Sequence, residues 1–328
     1  MKPTIAFVTG GFSGEAEISY KSAINIEKYL DKERWNVYKI DITIQGWYYE
    51  NQQGKKTVVD KNDFSILIND KKIVFDAVFI GIHGTPGEDG KLQGYFDLLH
   101  IPYTSCDVKT SALTFNKRYT IAVAALAGIS VSRSVLLIKN NFVNADELSK
   151  GLRFPVFVKP NNGGSSIGMS KVNTASEELG IAIEKAFKED DQVLVEEFIS
   201  GRELTIGVYK SKGKIIPLPI TEIISKKEFF DYEAKYFGAS DEITPAKIEK
   251  EIALLITNEA TKAYQVFNCK GIVRIDFIYN ADEAKAYMLE INTVPGQSEA
   301  SIVPQQVRAM GLTLQQFYTA LIEECLDK

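Results

Sequence analysis

Cysteine is scarce in this chain, and the little there is excludes two common architectures. Cys106, Cys269 and Cys325 are odd in number, and no C-x-x-C pair occurs. Neither a disulfide framework nor a zinc knuckle is therefore indicated, and a reducing, cytoplasmic setting is expected. Long apolar runs are missing as well. None approaches the ~20 residues of a membrane span, so no membrane partner is expected. The opening MKPTIAFVTGG is apolar only briefly and runs into glycines, unlike a secretory signal. Positive charge is not in excess: the formal net charge is −5. No global basic field favours nucleic acid or anionic lipid. No internal repeat or low-complexity tract is present. Histidine is confined to His83 and His100.

What is present is the composition of an ordinary globular enzyme, 45% apolar and 25% charged over 328 residues. At roughly 150 residues per domain, two or three domains are expected. TIAFV, then GGFSGE, then a helical stretch to about Leu30 reads as strand–turn–helix. NVYKIDI and IVFDAVFIGIHG read as strands, and KLQGYFDLL as a helix. This alternation predicts an α/β domain over residues 1–111, a parallel sheet with helices on its faces. A helix over 112–127 should stop at Gly128.

The pattern then changes. SVLLI, PVFVKP, MSKV and QVLVEEFI are short strands. Leu179, Ala182, Ile183, Ala186 and Phe187 mark one face of a helix over 177–187. ELTIGVY and KIIPLPITEII, with two later strands, predict another sheet. A helix over 247–267 turns Ile248, Ile252, Leu255, Ala263 and Val266 inward. Residues 226–244 are polar and aromatic with no period, and so long a loop points to function.

The most informative stretch is 274–304. Apolar runs over 271–279 and 286–291, joined by the polar NADEAK, predict a β-hairpin. Alternation puts Arg274 and Asp276 on one face, and Glu290 and Asn292 on one face. If the two faces coincide, three oxygen ligands and a guanidinium converge, a set suited to Mg²⁺ shared with phosphates. Otherwise this is a half-buried hairpin with a wet side.

Four other segments carry candidate chemistry. FVKPNNGGSSIGMSKV lacks the G-K-[ST] of a Walker loop. The backbone of Gly163, Gly164, Ser165 and Ser166 could still nest phosphates with Lys159 beside it, or be a plain hairpin tip. In VLVEEFISGREL, Glu196 and Glu203 suit adenine and ribose, or are solvated surface carboxylates. Glu15 starts a helix, favoured there by the dipole or placed to hold an ammonium. His83 follows a strand end, where open α/β sheets place ligands; His100 begins a turn and reads as structural. In PGQSEASIVP, Gly296 could offer an N–H to an oxyanion and Ser301 could bond a carboxylate, unless this is a surface turn.

Taken in order, GGFSGEAEIS, IHG…GEDG, VKPNNGGSSIGMSKV, EEFISGRE, DYEAKY, VRIDF, LEINTVPG and SEASIVP resemble the D-alanine–D-alanine ligase family of the ATP-grasp superfamily over nearly the whole chain. The resemblance implies an ATP-grasp fold, α/β overall and α+β in its central and C-terminal parts. An N-terminal Rossmann-like domain (1–111) would precede central (112–204) and C-terminal (205–328) subdomains, with ATP between the last two. Asp276, Glu290 and Asn292 would hold two Mg²⁺ ions, or Mn²⁺. Lys117 and Lys159 would meet the α- and β-phosphates, and Lys235 the γ-phosphate. Gly164, Ser166, Glu196, Glu197 and Glu203 would complete the ATP site. Glu15 would hold the first D-alanine ammonium, with His83 nearby. Glu15, Ser165 and Tyr236 would form a triad closing the 226–244 loop. Arg274 and the Gly296 N–H would stabilise the oxyanion. Ser301 and Ile302 would seat the second D-alanine carboxylate; leucine is frequent in the family where Ile302 stands, and the N–H role survives that change.

The implied partners are D-alanine and ATP, in a homodimer. The implied chemistry has two steps: a D-alanyl phosphate forms, and a second D-alanine amine attacks it. Arg274 would stabilise the resulting oxyanion, typically worth roughly 3–4 kcal/mol per donor. A D-alanine–D-lactate or D-alanine–D-serine ligase is the nearest rival, which Tyr236 argues against. A non-catalytic nucleotide-binding regulator is disfavoured by the complete metal triad and Arg274.

Overall fold

The computed structural model describes residues 2–141, 148, 151–164, 167–175, 177–225 and 240–327. In the first sheet, β1 (Thr4–Gly10) pairs in parallel with β2 (Asn36–Ile42) and β7 (Ala77–Ile80). All four residues of β7 are buried, as a parallel strand covered on both faces requires. α1 (Ala16–Tyr29) packs Ala23 and Ile26 onto Phe7 and Phe79. The sheet is not purely parallel. β3 (Trp47–Glu50) and β4 (Lys56–Val58) extend it antiparallel beyond β2. The stretch expected as one strand over 73–84 is also divided. Its start belongs to β6 (Lys71–Ile73), which forms a separate hairpin with β5 (Ile66–Ile68).

α2 (Lys91–Leu98) follows. The single helix expected over 112–127 is two helices, α3 (Val108–Phe115) and α4 (Lys117–Leu126). They break at Asn116, whose ψ of 106° is extended and whose side chain accepts the Tyr119 N–H. An asparagine cap outcompetes helix continuation here. Gly128 follows α4 with φ of 71°, as the C′ position asks.

The second sheet is antiparallel, in the order β10-β9-β11-β8. Its strands are β8 (Ser134–Ile138), β9 (Val156–Pro160), β10 (Ser170–Val172) and β11 (Gln192–Glu197). α5 (Glu177–Ala186) lays Leu179, Ala182, Ile183 and Ala186 onto Val156, Val158, Val193 and Val195. These are the helix positions its periodicity selects.

The third sheet is built on β12 (Arg202–Ser211), β16 (Ile272–Asn280) and β17 (Lys285–Asn292). KIIPLPITEII is not one strand but two, β13 (Lys214–Pro217) and β14 (Thr221–Ser225), both antiparallel to β12. The loop expected over 226–244 ends in a strand, β15 (Ser240–Ile243), paired with β14; residues 226–239 lie outside those described. α6 (Lys250–Val266) covers the sheet with Ile256, Ala260, Ala263 and Tyr264 fully buried. Val266, expected inward, faces solvent at 39% exposure, one step past the stripe continued by Ala263 and Tyr264. α7 (Ile302–Ala309) and α8 (Leu314–Leu326) close the chain. α8 places Phe317 and Tyr318 in one core with Phe7 and Phe79 of the first sheet and Tyr209 and Leu218 of the third region. That shared core fixes the first and third sheets relative to each other.

The same junction depends on Gly271, just before β16. Its φ is +60°, and an added Cβ would stand 1.8 Å from the Thr104 carbonyl oxygen. Gly271→Ala should therefore lower the unfolding free energy by about 1–3 kcal/mol. Urea denaturation checks this; an unchanged midpoint would contradict the close approach.

Candidate active site

The site is built outward from β16. In register across three strands stand Thr205, Asp276 and Glu290, and one step along stand Gly207, Arg274 and Asn292. The opposite faces of these strands bury Leu204, Ile206, Val208, Val273, Ile275 and Phe277 under α6. β17 needs an irregularity to satisfy both faces. Met288 pairs with Phe277 in the core, yet Glu290 pairs with Asp276, so Leu289 is the extra residue of a bulge. Without it, strict alternation would turn Glu290 into the core with Met288.

The two faces therefore coincide. Arg274 forks onto Asp276, Nε to Oδ1 at 2.9 Å and Nη2 to Oδ2 at 2.8 Å. The Thr205 hydroxyl donates to Asp276 Oδ1 at 2.5 Å. Asn292 Nδ2 lies 3.3 Å from Asp276 Oδ2 and 3.4 Å from Glu290 Oε1. Glu290 Oε1 is 4.0 Å from Arg274. Among the described residues, no cluster of three or more His, Cys, Asp or Glu side chains is placed to hold a metal. The third member of this set is an amide. Its oxygen would join the carboxylates after a flip of the Asn292 side chain, whose O and N are distinguished only by their partners.

This face opens into a cavity of about 350 Å³. Segments from all three sheets line it, including Glu15, Gly164 and Arg274. Glu15 sits at the start of α1, and its carboxylate is wedged between two backbones. A Cβ at Gly84 would come within 2.4 Å of Glu15 Oε2, and one at Gly164 within 2.6 Å of Oε1. Glycine at both positions lets loops from the first and second sheets close on one carboxylate. His83 is buried beside it. Its Nε2 lies 2.9 Å from Ser22 Oγ, and its N–H donates to Ser19 Oγ at 2.9 Å. Burial lowers the His83 pKa to about 4, so the ring is neutral at pH 7.

Glu88, in the GEDG turn, went unrecognised in the sequence. It accepts the Gly84 N–H at 2.7 Å and the Val294 N–H at 3.1 Å, joining the first sheet's loop to the exit of β17. Burial, then the neighbouring Glu15 charge, pushes its pKa up to about 8. Lys21 and Glu242 also line the cavity without having been singled out. Only the four-residue glycine-acid turn could have signalled Glu88; nothing local distinguishes the other two from surface charges.

On the side expected to take the nucleotide, Lys117 is the first residue of α4, and its ammonium donates to the Gly163 carbonyl at 2.5 Å. Lys117, Gly163, Gly164 and Glu203 all line the cavity. Lys159 and Glu196 do not; they pair with each other across β9 and β11 at 2.5 Å. Glu197 departs from expectation. Its carboxylate is held by Arg153, with Oε2 2.9 Å from Nε and 2.8 Å from Nη2. Its carbonyl accepts the Ser132 hydroxyl and its N–H donates to Arg133 O. With both faces of the residue engaged, Glu197 is not brought to the cavity. Ser165, Ser166, Lys235 and Tyr236 lie outside the described residues. At the far end, Ser301 is the N-cap of α7 and Ile302 its first residue. Ser301 Oγ accepts the Ser298 N–H at 3.0 Å, and a Cβ on Gly296 would stand 2.9 Å from it. Gly296, Ser301 and Ile302 line the cavity.

Residues 4–106 match the family described as "D-ala D-ala ligase N-terminus" and residues 123–323 "D-ala D-ala ligase C-terminus". A D-alanine–D-alanine ligase of Flavobacterium johnsoniae is 46% identical over 319 residues, 97% of this chain and 98% of that protein. One from Phocaeicola vulgatus is 46% identical over 98% of this chain and 99% of its own length. Among solved structures, the VanG D-Ala:D-Ser ligase of Enterococcus faecalis superimposes with TM-score 0.89 at 32% identity, covering 98% of this chain and 99% of that one. A D-alanine–D-alanine ligase of Bacillus anthracis complexed with ATP gives 0.78 at 27%, covering 99% and 98%.

The buried His83 makes stability depend on pH. Its folded pKa of about 4 lies below the ordinary 6.5, so its neutral ring stabilises the fold fully above pH 6.5. That contribution fades as pH falls from 6.5 towards 4. Between pH 6.5 and 5 the wild type should lose roughly 2 kcal/mol more unfolding free energy than His83→Gln. Glu88 has the opposite sign, disfavouring the fold as pH rises from 4.5 to about 8, but it is common to both proteins. Chemical denaturation across that range measures the difference, and a constant gap would contradict the buried neutral ring.

Proposed function

The chain belongs to the D-alanine–D-alanine ligase family, and from that premise we infer that it joins two D-alanine molecules with ATP, a step of peptidoglycan precursor synthesis. The observation carrying the reading is convergence: carboxylates, a guanidinium, a glycine loop and a helix start from three sheets line one cavity. The first D-alanine carboxylate attacks the γ-phosphate of ATP and ADP leaves. The second D-alanine amine then attacks the acyl phosphate, and phosphate leaves through a tetrahedral intermediate.

The chain's side chains divide this work. Glu15 holds the ammonium of the first D-alanine, beside the neutral His83. Lys117 approaches the phosphates from α4 while held at Gly163 O. Lys159, ion-paired with Glu196, belongs to the same side, as do Gly164 and Ser166, with Glu203 at the ribose. Lys235 completes the γ-phosphate contacts. Arg274, oriented by its fork onto Asp276, offers positive charge where the oxyanion develops. The Gly296 N–H is the second donor. Ser301 and the N–H of Ile302, at the positive end of α7, receive the second carboxylate. The triad of Glu15, Ser165 and Tyr236 closes the 226–244 segment and excludes water from the acyl phosphate.

Asp276, Glu290 and Asn292 offer two carboxylates and an amide within hydrogen-bond reach of one another, hard oxygen donors that fit Mg²⁺, or Mn²⁺ in its place. Two such ions, when bound, would neutralise charge on the transferring phosphoryl group. The reading also includes three domains at 1–111, 112–204 and 205–328, a homodimer and a cytoplasmic location. Among the described residues no helix is long and apolar enough to cross a membrane.

The likeness to a D-Ala:D-Ser ligase keeps D-serine as the second reading for the acceptor. Separate incubations with D-alanine, D-serine and D-lactate, ATP and Mg²⁺, analysed by product mass, decide between them. D-alanine alone should release phosphate and give D-alanyl-D-alanine; absence of D-alanine-dependent phosphate would sink the assignment. Glu290→Gln should lower turnover ~100-fold or more while leaving the thermal midpoint near that of the wild type, since losing even a group that only hydrogen-bonds a metal's ligands typically costs about 10–100-fold. Wild-type turnover in that variant at ordinary Mg²⁺ would remove Glu290 from the site.

A further inference from the structure

We propose that Glu242 receives the ammonium of the acceptor D-alanine and so sets the preference for an amine over a hydroxyl acceptor. The proposal rests on the ligase reading above and adds a residue to it. Glu242 lies on β15 opposite Ile223 of β14, and both line the cavity. It is fixed from the helix that would seat the acceptor carboxylate. Gln305 of α7 donates from Nε2 to Glu242 Oε2 at 2.8 Å and to Ala300 O at 2.9 Å. Thr244 Oγ1 donates to Gln305 Oε1 at 3.4 Å and lies 2.7 Å from Thr221 Oγ1. The carboxylate is thus tied to the turn carrying Ser301 and Ile302, within the field of Arg274.

The acceptor's own chemistry asks for such a group. D-alanine enters as a zwitterion. Its carboxylate suits the positive end of α7. Its ammonium, carried into an enclosed site, needs an anion nearby. The other cavity carboxylates have different surroundings. Asp276 is forked by Arg274 and bonded by Thr205. Glu290 stands beside Asn292 and Asp276 in the oxygen cluster. Glu15 and Glu88 both abut Gly84, at the end assigned to the first D-alanine. Glu203 pairs in register with Ile278, at the nucleotide side. Glu242 is anchored to α7 through Gln305. A hydroxy acid brings no ammonium and gains nothing from it.

The test uses the full chain with ATP and Mg²⁺, separating the KM of the first D-alanine from that of the second. Glu242→Gln keeps an acceptor for the Gln305 amide but removes the charge. It should raise the second KM about tenfold, leave the first unchanged, and raise the share of depsipeptide made from mixed D-alanine and D-lactate. Glu242→Asp, which keeps the charge, should preserve the amine preference. An unchanged second KM and product ratio in Glu242→Gln would overturn the proposal. Equal losses in both KM values, or in the Gln and Asp variants alike, would also overturn it, by showing a purely structural strut. The unmodified chain separates the two levels: if it makes no dipeptide from D-alanine, the ligase reading itself falls and takes this one with it.

Discussion

The register of β16 between β12 and β17 is the constraint on which the rest of the site depends. Thr205, Asp276 and Glu290 form one row and Gly207, Arg274 and Asn292 the next. A slip of β16 by one residue would send Arg274 and Asp276 into the core beneath α6 and bring Ile275 and Phe277 to the cavity. Burial of that apolar face holds the register, so the sheet's core is also what aims its chemistry. The bulge at Leu289 is the local irregularity that lets β17 obey the core with Met288 and the site with Glu290. Gly207 contributes by having no side chain. A Cβ there would lie 2.7 Å from Leu218 and 2.8 Å from Gln306 Oε1, which accepts its N–H.

Charge is the second constraint. Around the cavity stand Glu15, Glu88, Glu203, Glu242, Asp276 and Glu290 against Lys21, Lys117 and Arg274, with His83 neutral. A nucleotide triphosphate entering such a surplus of carboxylates meets like charge. Among the described residues the lining carries more acids than bases, a surplus that entering cations would offset, as the proposed divalent ions and substrate ammonium groups would. Unequal burial already relieves part of the strain. Burial first, and the neighbouring Glu15 charge second, pushes the Glu88 carboxyl up. A cation placed between them would oppose that shift.

The hairpin, the helix under the second sheet and the strand–turn–helix at the N-terminus were legible because each has a sustained period. What escaped reading was decided at longer range. Asn116 breaks a continuous helical pattern because its side chain caps the next helix, and periodicity is blind to that substitution of one hydrogen bond for another. Val266 carries an apolar side chain in a helical window, yet it lies beside the buried stripe of Ala263, Tyr264 and Phe267. Glu196 and Glu197 are neighbours on β11 and take opposite faces; Arg153, 44 positions away, holds Glu197 while Lys159 holds Glu196. Lys159 and Glu196 were read as two candidate site residues but not as partners of each other. Glu88 and Glu242 look like surface acids until strands and turns from elsewhere enclose them. Patterns report which face a residue takes; they do not report what is brought opposite it.

Glu15 joins these levels. It starts α1, a position that the helix dipole favours for an acid, yet its surroundings come from elsewhere in the chain. Gly84 approaches it from the first sheet's loop and Gly164 from the loop of the second sheet. Both approaches are so close that a single methyl group at either glycine would collide with the carboxylate. Among the described residues, the loop of the second sheet thus meets the loop of the first at a charged group. Apolar contacts would hold the two regions together whether or not the site was filled. A carboxylate contact responds to what it binds, because a bound ammonium changes the charge at the point where the loops touch. The approach of two sheets thus falls on one pair of carboxylate oxygens, the pair proposed above to receive the ammonium of the first D-alanine.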